Sequence, residues 1–221
     1  MSKRITISLG ILCLLIFIFT TLSIEAFANR ASHTFYVHTY PTRTPVPQAQ
    51  AARNAVNPAS PNSGAIVVKG SDAFVQQTTR ALTLLHDRAP EAYKKVQTYI
   101  GIIEETDHSG MAAYENPPRY EVSDKTAFYS LTWYASTIAH DATHSELYHQ
   151  YRAAHQTNNV PDNAWTGIDI EKACNAYQLA VLKQIGGPSS EIDYLAGLDG
   201  THCDVNHDGK CDIQDDRQRD W

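Results

Sequence analysis

From Leu131 to Tyr151 the chain runs without a proline or a glycine. Such a stretch, with Trp133, Ala135 and Ile138 available to support a packed face, predicts one long helix over Ser130 to His155. No other feature limits the fold as strongly. A helix of roughly 25 residues reaches about 38 Å, the full width of a small domain, so the other elements must pack along it. Inside it stands His140-Asp141-Ala142-Thr143-His144. Residues four apart share a helix face, so His140 and His144 can offer two imidazoles to one metal ion.

The surrounding segments read as α+β. Ser71 can cap a helix through His86, in which Phe74, Ala81, Leu82 and Leu85 repeat near the helical period. Pro90 can open a second helix through Tyr93 and Val96, since proline is tolerated in a first turn. Tyr99 to Ile103 is apolar and β-branched and predicts a strand, Asp107 to Gly110 a turn, and Met111 to Tyr114 and Tyr120 to Val122 further strands parted by Pro117-Pro118. Ile170 to Ile185 is expected to be helical, stopped by Gly186-Gly187-Pro188, with a short last helix over Glu191 to Leu198. The expectation is a mainly helical domain with a small sheet placed before the motif helices.

A metal-dependent hydrolase needs a third ligand and an acidic group to activate water. Glu171 opens the helix after the motif helix. The connecting loop is long enough to turn the chain back, so that two helices can lie side by side. Cys174 and Gln178 fall on roughly the face of Glu171, while Ala173, Tyr177, Ala180 and Val181 are expected to pack inward. Asp169 is a weaker choice of third ligand. A third histidine six residues beyond His144 is excluded, because Gln150 stands there.

The run Trp133-Tyr-Ala-Ser-Thr-Ile-Ala-His-Asp-Ala-Thr-His144 resembles the active-site helix of gluzincin-type zinc metallopeptidases, and Glu171-Lys-Ala-Cys-Asn-Ala-Tyr-Gln178 resembles the glutamate-bearing helix that follows it. The resemblance extends over 71–198 and is specific only in these two segments. It implies a zincin-like fold, a zinc ion held by His140, His144 and Glu171 with one position open to water, and a peptide or protein substrate. Where that family has a glutamate as general base, this chain has Asp141, one methylene shorter.

Two other readings stay open. The site can be a metal- and calcium-stabilised extracellular binding domain in which Asp141 marks lost catalysis. Alternatively, His140-Asp141 can be the adjacent metal-binding pair of an HD-type phosphohydrolase, with His86-Asp87 as a second such pair. Tyr148 and Tyr151 read as packing or surface aromatics, and His149 and His155 as solvated positions.

The N-terminus reads as an export signal. Lys3 and Arg4 precede an apolar run from Ile5 to Phe19, and Ala26-Phe27-Ala28 fits the small-x-small rule, so cleavage is expected after Ala28. An uncleaved anchor is the alternative. Cys13 follows Leu12 rather than a small residue, which argues against a lipid anchor there. Residues 29–70 read as a linker rich in Pro, Ala and Asn. The formal net charge is −6 with no long basic run, which argues against nucleic acid as a partner. After cleavage no membrane segment is expected, and the product is expected to be secreted or extracytoplasmic.

Export permits disulfides. Of Cys174, Cys203 and Cys211, the last two are nearest in sequence, and pairing of Cys174 with either stays open. The stretch 199–221 holds a second cation motif. Asp204, Asn206, Asp208, Gly209, Lys210, Asp212 and Asp215 fall at positions 1, 3, 5, 6, 7, 9 and 12 of a twelve-residue calcium loop, with Lys210 offering only its backbone carbonyl. Hard oxygen donors at alternate positions wrap a hard cation. The loop resembles those of dockerins and EF-hand-like modules. It has Asp215 where a longer glutamate is usual, and no second repeat, so a single structural calcium site is expected.

Overall fold

The computed structural model describes residues 64–211, 213–216 and 218. The export signal, most of the linker and Asp212 lie outside the described residues. The chain order is β1 (Val67–Lys69), α1 (Asp72–Arg88), α2 (Pro90–Tyr99), β2 (Ile102–Thr106), β3 (Gly110–Ala112), β4 (Arg119–Ser123), α3 (Asp124–Ala127), α4 (Leu131–His155), α5 (Ile168–Gln184), α6 (Ser189–Ala196) and α7 (Ile213–Asp216). The class is mixed α+β, mostly helical, with one four-stranded sheet in the order β1-β2-β4-β3.

The sheet departs from the expectation in one respect. Val67–Lys69, read as the end of the linker, is an edge strand parallel to β2 in register Val67 with Ile102. A three-residue strand followed by Gly70-Ser71 leaves too short a pattern to separate from linker. Because β1 and β2 are parallel, α1 and α2 form the crossover between them. β2 is parallel to β4 in turn, while β3 runs antiparallel to β4 and closes the other edge.

Strand β2 also begins later than its apolar residues suggest. Tyr99 completes α2, extending the Tyr93 and Val96 spacing by one more turn, and the strand continues through the polar Glu104-Glu105-Thr106. Those side chains are tolerated because the strand is only partly covered and its carboxylates are paired. Arg119 on β4 meets Glu104 at 3.0 Å, Glu115 at 2.7 Å and Glu121 at 2.6 Å.

The Ser71 cap and the first-turn Pro90 form as expected, and Ser130, read as the first residue of the long helix, stands just before it as its cap. Ser71 Oγ accepts from Phe74 N at the start of α1, Pro90 occupies the first turn of α2, and Ser130 Oγ accepts from Trp133 N at 2.9 Å at the start of α4. Each such cap satisfies a donor that the helix itself cannot. α4 ends on Gln156 in the left-handed conformation.

The core lies between α1, α2, α4 and the sheet. Phe74, Leu85, Val96, Ile100, Ile103, Val122, Tyr134 and Ile138 are fully enclosed. Burial of each large side chain is worth about 1.5–3 kcal/mol. Tyr134 and Thr78 share a 2.7 Å hydroxyl–hydroxyl hydrogen bond, so the tyrosine keeps its polar end satisfied inside the core.

Helix α4 is enclosed on two faces. Tyr134, Ala135, Ile138, Ala139 and Ala142 form one and pack into the core. Trp133, Thr137, His140, Asp141 and His144 form the other and line a cavity. That double burial explains why the helix carries no clean polar stripe. Lys95 fastens α2 against both long helices, with its ammonium 2.8 Å from Glu146 on α4 and 3.6 Å from the ring centroid of Tyr177 on α5. None of the helices among the described residues is long and apolar enough to cross a membrane.

Candidate metal centre

Helices α4 and α5 bring the expected ligands together. His140 and His144 stand one turn apart, with their Nε2 atoms 3.0 Å from each other. Glu171, in the first turn of α5, reaches across to both. One carboxylate oxygen is 3.3 Å from His140 Nε2 and the other is 3.3 Å from His144 Nε2. Four donors around zinc at about 2.0–2.1 Å sit roughly 3.3–3.4 Å apart in a tetrahedron. The separations here, 3.0 Å between the imidazoles and 3.3 Å from each imidazole to its own Glu171 oxygen, are of that order, so the three side chains converge closely enough to share one cation.

The surroundings suit the same purpose. His144 Nδ1 donates to the carbonyl of Trp165 at 2.7 Å, which turns Nε2 toward Glu171. A backbone carbonyl on the far nitrogen is the usual way a ligating imidazole is oriented. Trp165 is fixed in turn by an edge-on contact with the buried Tyr148, 5.4 Å between centroids. His140 Nδ1 and Asn175 Nδ2 are buried without a hydrogen-bond partner among the described residues.

Charge is tightly coupled here. Burial alone would push the His144 imidazole toward its neutral form, but Cys174 and Glu171 beside it hold its pKa well above the ordinary histidine value. Burial would likewise raise the Glu171 carboxyl, and His144 and His140 instead hold it well below the usual range. In the ion-free state, a proton shared among these groups balances the buried carboxylate. Metal binding releases such protons.

Cys174 adds a fourth donor from α5, one turn beyond Glu171. It is completely buried, and its sulfur and one ligand nitrogen from each of His140 and His144 all lie within 4.8 Å of one another. The group His140, His144, Cys174 could therefore also hold a metal ion. The inward face of α5 follows the expectation at Val181, which is buried in the core, and at Tyr177, which packs against it, and differs at Ala173 and Ala180, which are exposed, while Glu171, Cys174, Asn175 and Gln178 are buried. A hydrophobic-period argument assigns small apolar residues to the interior. Here a polar stripe is enclosed instead, because it faces the cavity and α4. Gln178 Nε2 donates to Ser136 Oγ on α4 at 3.1 Å and ties the two helices along that stripe.

Asp141 lines the cavity beside these groups. Its pKa is raised, first by burial and then by the Glu171 carboxylate, with His140 and His144 opposing. It also exchanges a hydrogen bond with the hydroxyl of Tyr120 on β4, which lies 3.3 Å from Thr137 Oγ1 as well. Asp169 is exposed in the first turn of α5 and is not part of the cavity wall. His86 and Asp87 end α1, paired with each other at 2.7 Å and away from the cavity wall. The two histidine–aspartate pairs are therefore not brought to one site.

The cavity has a volume of about 840 Å³. Its floor carries the histidines and Glu171. One wall is the edge strand β3, Gly110 to Ala112, and the rim carries Tyr129, Trp133 and Tyr194. Their rings stand 5.8 and 5.7 Å apart in sequence along the rim. Tyr129 and Tyr194 are mostly exposed. Trp133 faces this cavity rather than supporting the core.

Sequence reasoning missed His202. It lines the cavity, with Nε2 3.8 Å from the Glu171 oxygen that also faces His140. Its position next to Cys203 was the only signal available. Cys203 and Cys211 form a disulfide and Cys174 stays unbridged, which settles the pairing left open above.

At the C-terminal loop, the acidic residues are organised by backbone donors. Asp204 accepts from Asp208 N at 3.0 Å and Gly209 N at 2.8 Å, and Asp215 accepts from Val205 N at 2.8 Å and Asn206 N at 3.1 Å. Asn206 Oδ1 accepts from Asp208 N, and Asp208 Oδ1 from Lys210 N. Asp215 is fully buried, while Gly209 takes the positive φ of 85° that a sharp turn needs at that point.

Neither a protein-family model, nor a curated protein, nor a solved structure matches this chain.

Proposed function

We propose that this chain is an exported, zinc-dependent metallopeptidase-like hydrolase with a zincin-like domain and a structural calcium loop near its C-terminus. The observation that carries the reading is the convergence of His140, His144 and Glu171 in the lining of a large cavity, with the imidazoles 3.0 Å apart and each 3.3 Å from a different Glu171 oxygen. When bound there, zinc would supply Lewis acidity to a scissile carbonyl and acidify a water.

The chain's own residues fill the remaining roles. Asp141 is a carboxylate beside these ligands on the cavity lining, with its pKa raised by burial, and it is the group placed to accept a proton. Tyr120 holds Asp141 in orientation. A peptide is favoured as substrate because β3 is an edge strand on the cavity wall, and an extended segment can add to such an edge through main-chain hydrogen bonds. The exposed rings of Tyr129 and Tyr194, with the partly covered Trp133 between them, offer an apolar shelf for its side chains. For the calcium loop, Asp204, Asn206, Asp208, Asp212 and Asp215 would provide side-chain oxygens and Lys210 its carbonyl.

A second reading, a metal- and calcium-stabilised extracellular binding domain, is favoured by the surplus of donors. Cys174 and His202 both lie near the same ligands, and a fully ligated ion is structural rather than catalytic. The two readings separate on Asp141. Hydrolysis of a fluorogenic peptide library should fall by roughly 10²–10⁴-fold in Asp141→Asn, with zinc content by elemental analysis unchanged. Equal activity of wild type and Asp141→Asn would sink the peptidase reading.

A further inference from the structure

The chain carries two cation motifs that the sequence treats as separate, and His202 connects them. It sits in a 3₁₀ turn, Thr201–Cys203, immediately before the acidic loop. Two constraints shape that turn and its loop, and a third, at Gly200, sets it against α5. Asp199 accepts from both the backbone N–H and the hydroxyl of Thr201, at 3.0 and 2.7 Å. Gly200 has a φ of 96° and lies so close to α5 that an added Cβ would overlap the Ile168 carbonyl and crowd Lys172. Cys203 is bridged to Cys211, which closes the loop onto the turn. Ile168 and Lys172 belong to the same first turns of α5 that carry Glu171. The turn therefore cannot shift without moving His202 relative to that carboxylate.

We propose that His202 is a fourth protein donor of the metal site, held in place by the disulfide-closed C-terminal loop. This rests on the metal reading above. The Nε2 atom of His202 stands 3.8 Å from Glu171 Oε2, and His140 Nε2 stands 3.3 Å from that same oxygen. Two imidazoles thus flank one carboxylate oxygen from different elements, while His144 addresses the other. Three imidazoles and a carboxylate are a nitrogen-rich, borderline-soft set suited to zinc, and to cobalt(II) as its spectroscopic stand-in. With all four donors in place the ion is enclosed by protein, the arrangement of the second, binding-domain reading above, and the disulfide-closed loop sets how tightly it is held.

The test uses the full secreted chain and two readouts that do not depend on turnover. Zinc affinity is measured by competition with a chromophoric chelator, and the visible ligand-field spectrum is recorded after loading with cobalt(II). His202→Ala should weaken zinc binding by roughly 10–100-fold and alter the cobalt bands. His202→Gln keeps the bulk and a hydrogen-bond donor, and it should show the same loss. The double variant Cys203→Ser/Cys211→Ser should match His202→Ala, and combining all three substitutions should add nothing further. Unchanged affinity and spectrum in His202→Ala, full recovery in His202→Gln, or additive losses in the triple variant would each overturn the proposal. Zinc binding that depends on His140 but not on His202 removes this inference alone. A wild-type chain that binds no zinc removes the metal reading with it.

Discussion

The α4–α5 cluster and the C-terminal loop are both rich in metal-ligating residues, yet they are built in opposite ways. In the cluster, the two Glu171 oxygens face only imidazoles, and its strongest fixed contact, His144 to the Trp165 carbonyl, lies on the outer side of the ring. In the loop, the Asp204 and Asp215 carboxylates are already taken up by backbone N–H groups, 2.8–3.1 Å away. The cluster is positioned by distant elements and holds charge that only a proton or a cation can balance. The loop is positioned by its own backbone, so its shape depends less on an ion. A buried, convergent site should therefore respond steeply to loss of one ligand, and a self-organised surface loop should respond mildly.

The largest expected effect tests the first half of that contrast. Structural zinc binding of about 10–16 kcal/mol, spread over four donors, makes one imidazole worth roughly 2.5–4 kcal/mol. His144→Ala should then weaken zinc affinity by on the order of 10²–10³-fold in a chelator competition. It should also destabilise the ion-free protein, because Glu171 loses a buried partner. Urea unfolding would register that second loss. A change of less than threefold in affinity would mean that the cluster is only an ion pair.

The next effect tests the loop. With calcium at about 100 times its dissociation constant, a specific site should add about 2.7 kcal/mol to stability. Asp204→Ala should abolish that calcium-dependent gain, and chelation should leave the variant's unfolding midpoint unmoved. Wild-type unfolding that is indifferent to calcium would leave the loop as an ordinary acidic turn.

The smallest effect checks that burial alone does not produce the behaviour assigned to the cluster. His149 lies on the same long helix, half-buried against Tyr99 and Tyr148, outside both motifs. Burial, then the Arg152 charge, pushes its pKa down to about 4. A depressed histidine contributes fully above its ordinary value of about 6.5, and the contribution is lost as pH falls toward 4. With solvent screening discounted, about 1–2 kcal/mol of stability should disappear over that window. His149→Gln should flatten this part of the stability-versus-pH curve, whether or not zinc is present. A slope that persists in the variant would move the titration to another group.

Much of the architecture is legible in local pattern. The spacing of Phe74, Ala81, Leu82 and Leu85, the caps Ser71 and Ser130, and the stops at Gly186-Gly187 each act within a few residues, so helix positions follow from sequence. β1 was not legible, because a three-residue strand is stabilised by its parallel partner and not by its own pattern. The solvated reading of His149 failed for a similar reason: a ring from α2, Tyr99, covers it. Likewise, Ala173 and Ala180 are exposed because the inward face of α5 is chosen by the polar cavity it lines.

By itself, the sequence determined the long motif helix, the one-turn spacing of His140 and His144, the candidacy of Glu171 and the register of acidic residues in the last loop. These depend on helical and loop periodicity, which is a short-range property of the backbone. Tertiary structure decided the rest: that Glu171 reaches both imidazoles, that Tyr120 holds Asp141, that Cys203 pairs with Cys211, and that His202 arrives beside Glu171. Apart from the disulfide, whose cysteines are eight residues apart, those contacts join residues far apart in the chain. They are set by how helices and turns pack in three dimensions, which no local pattern encodes.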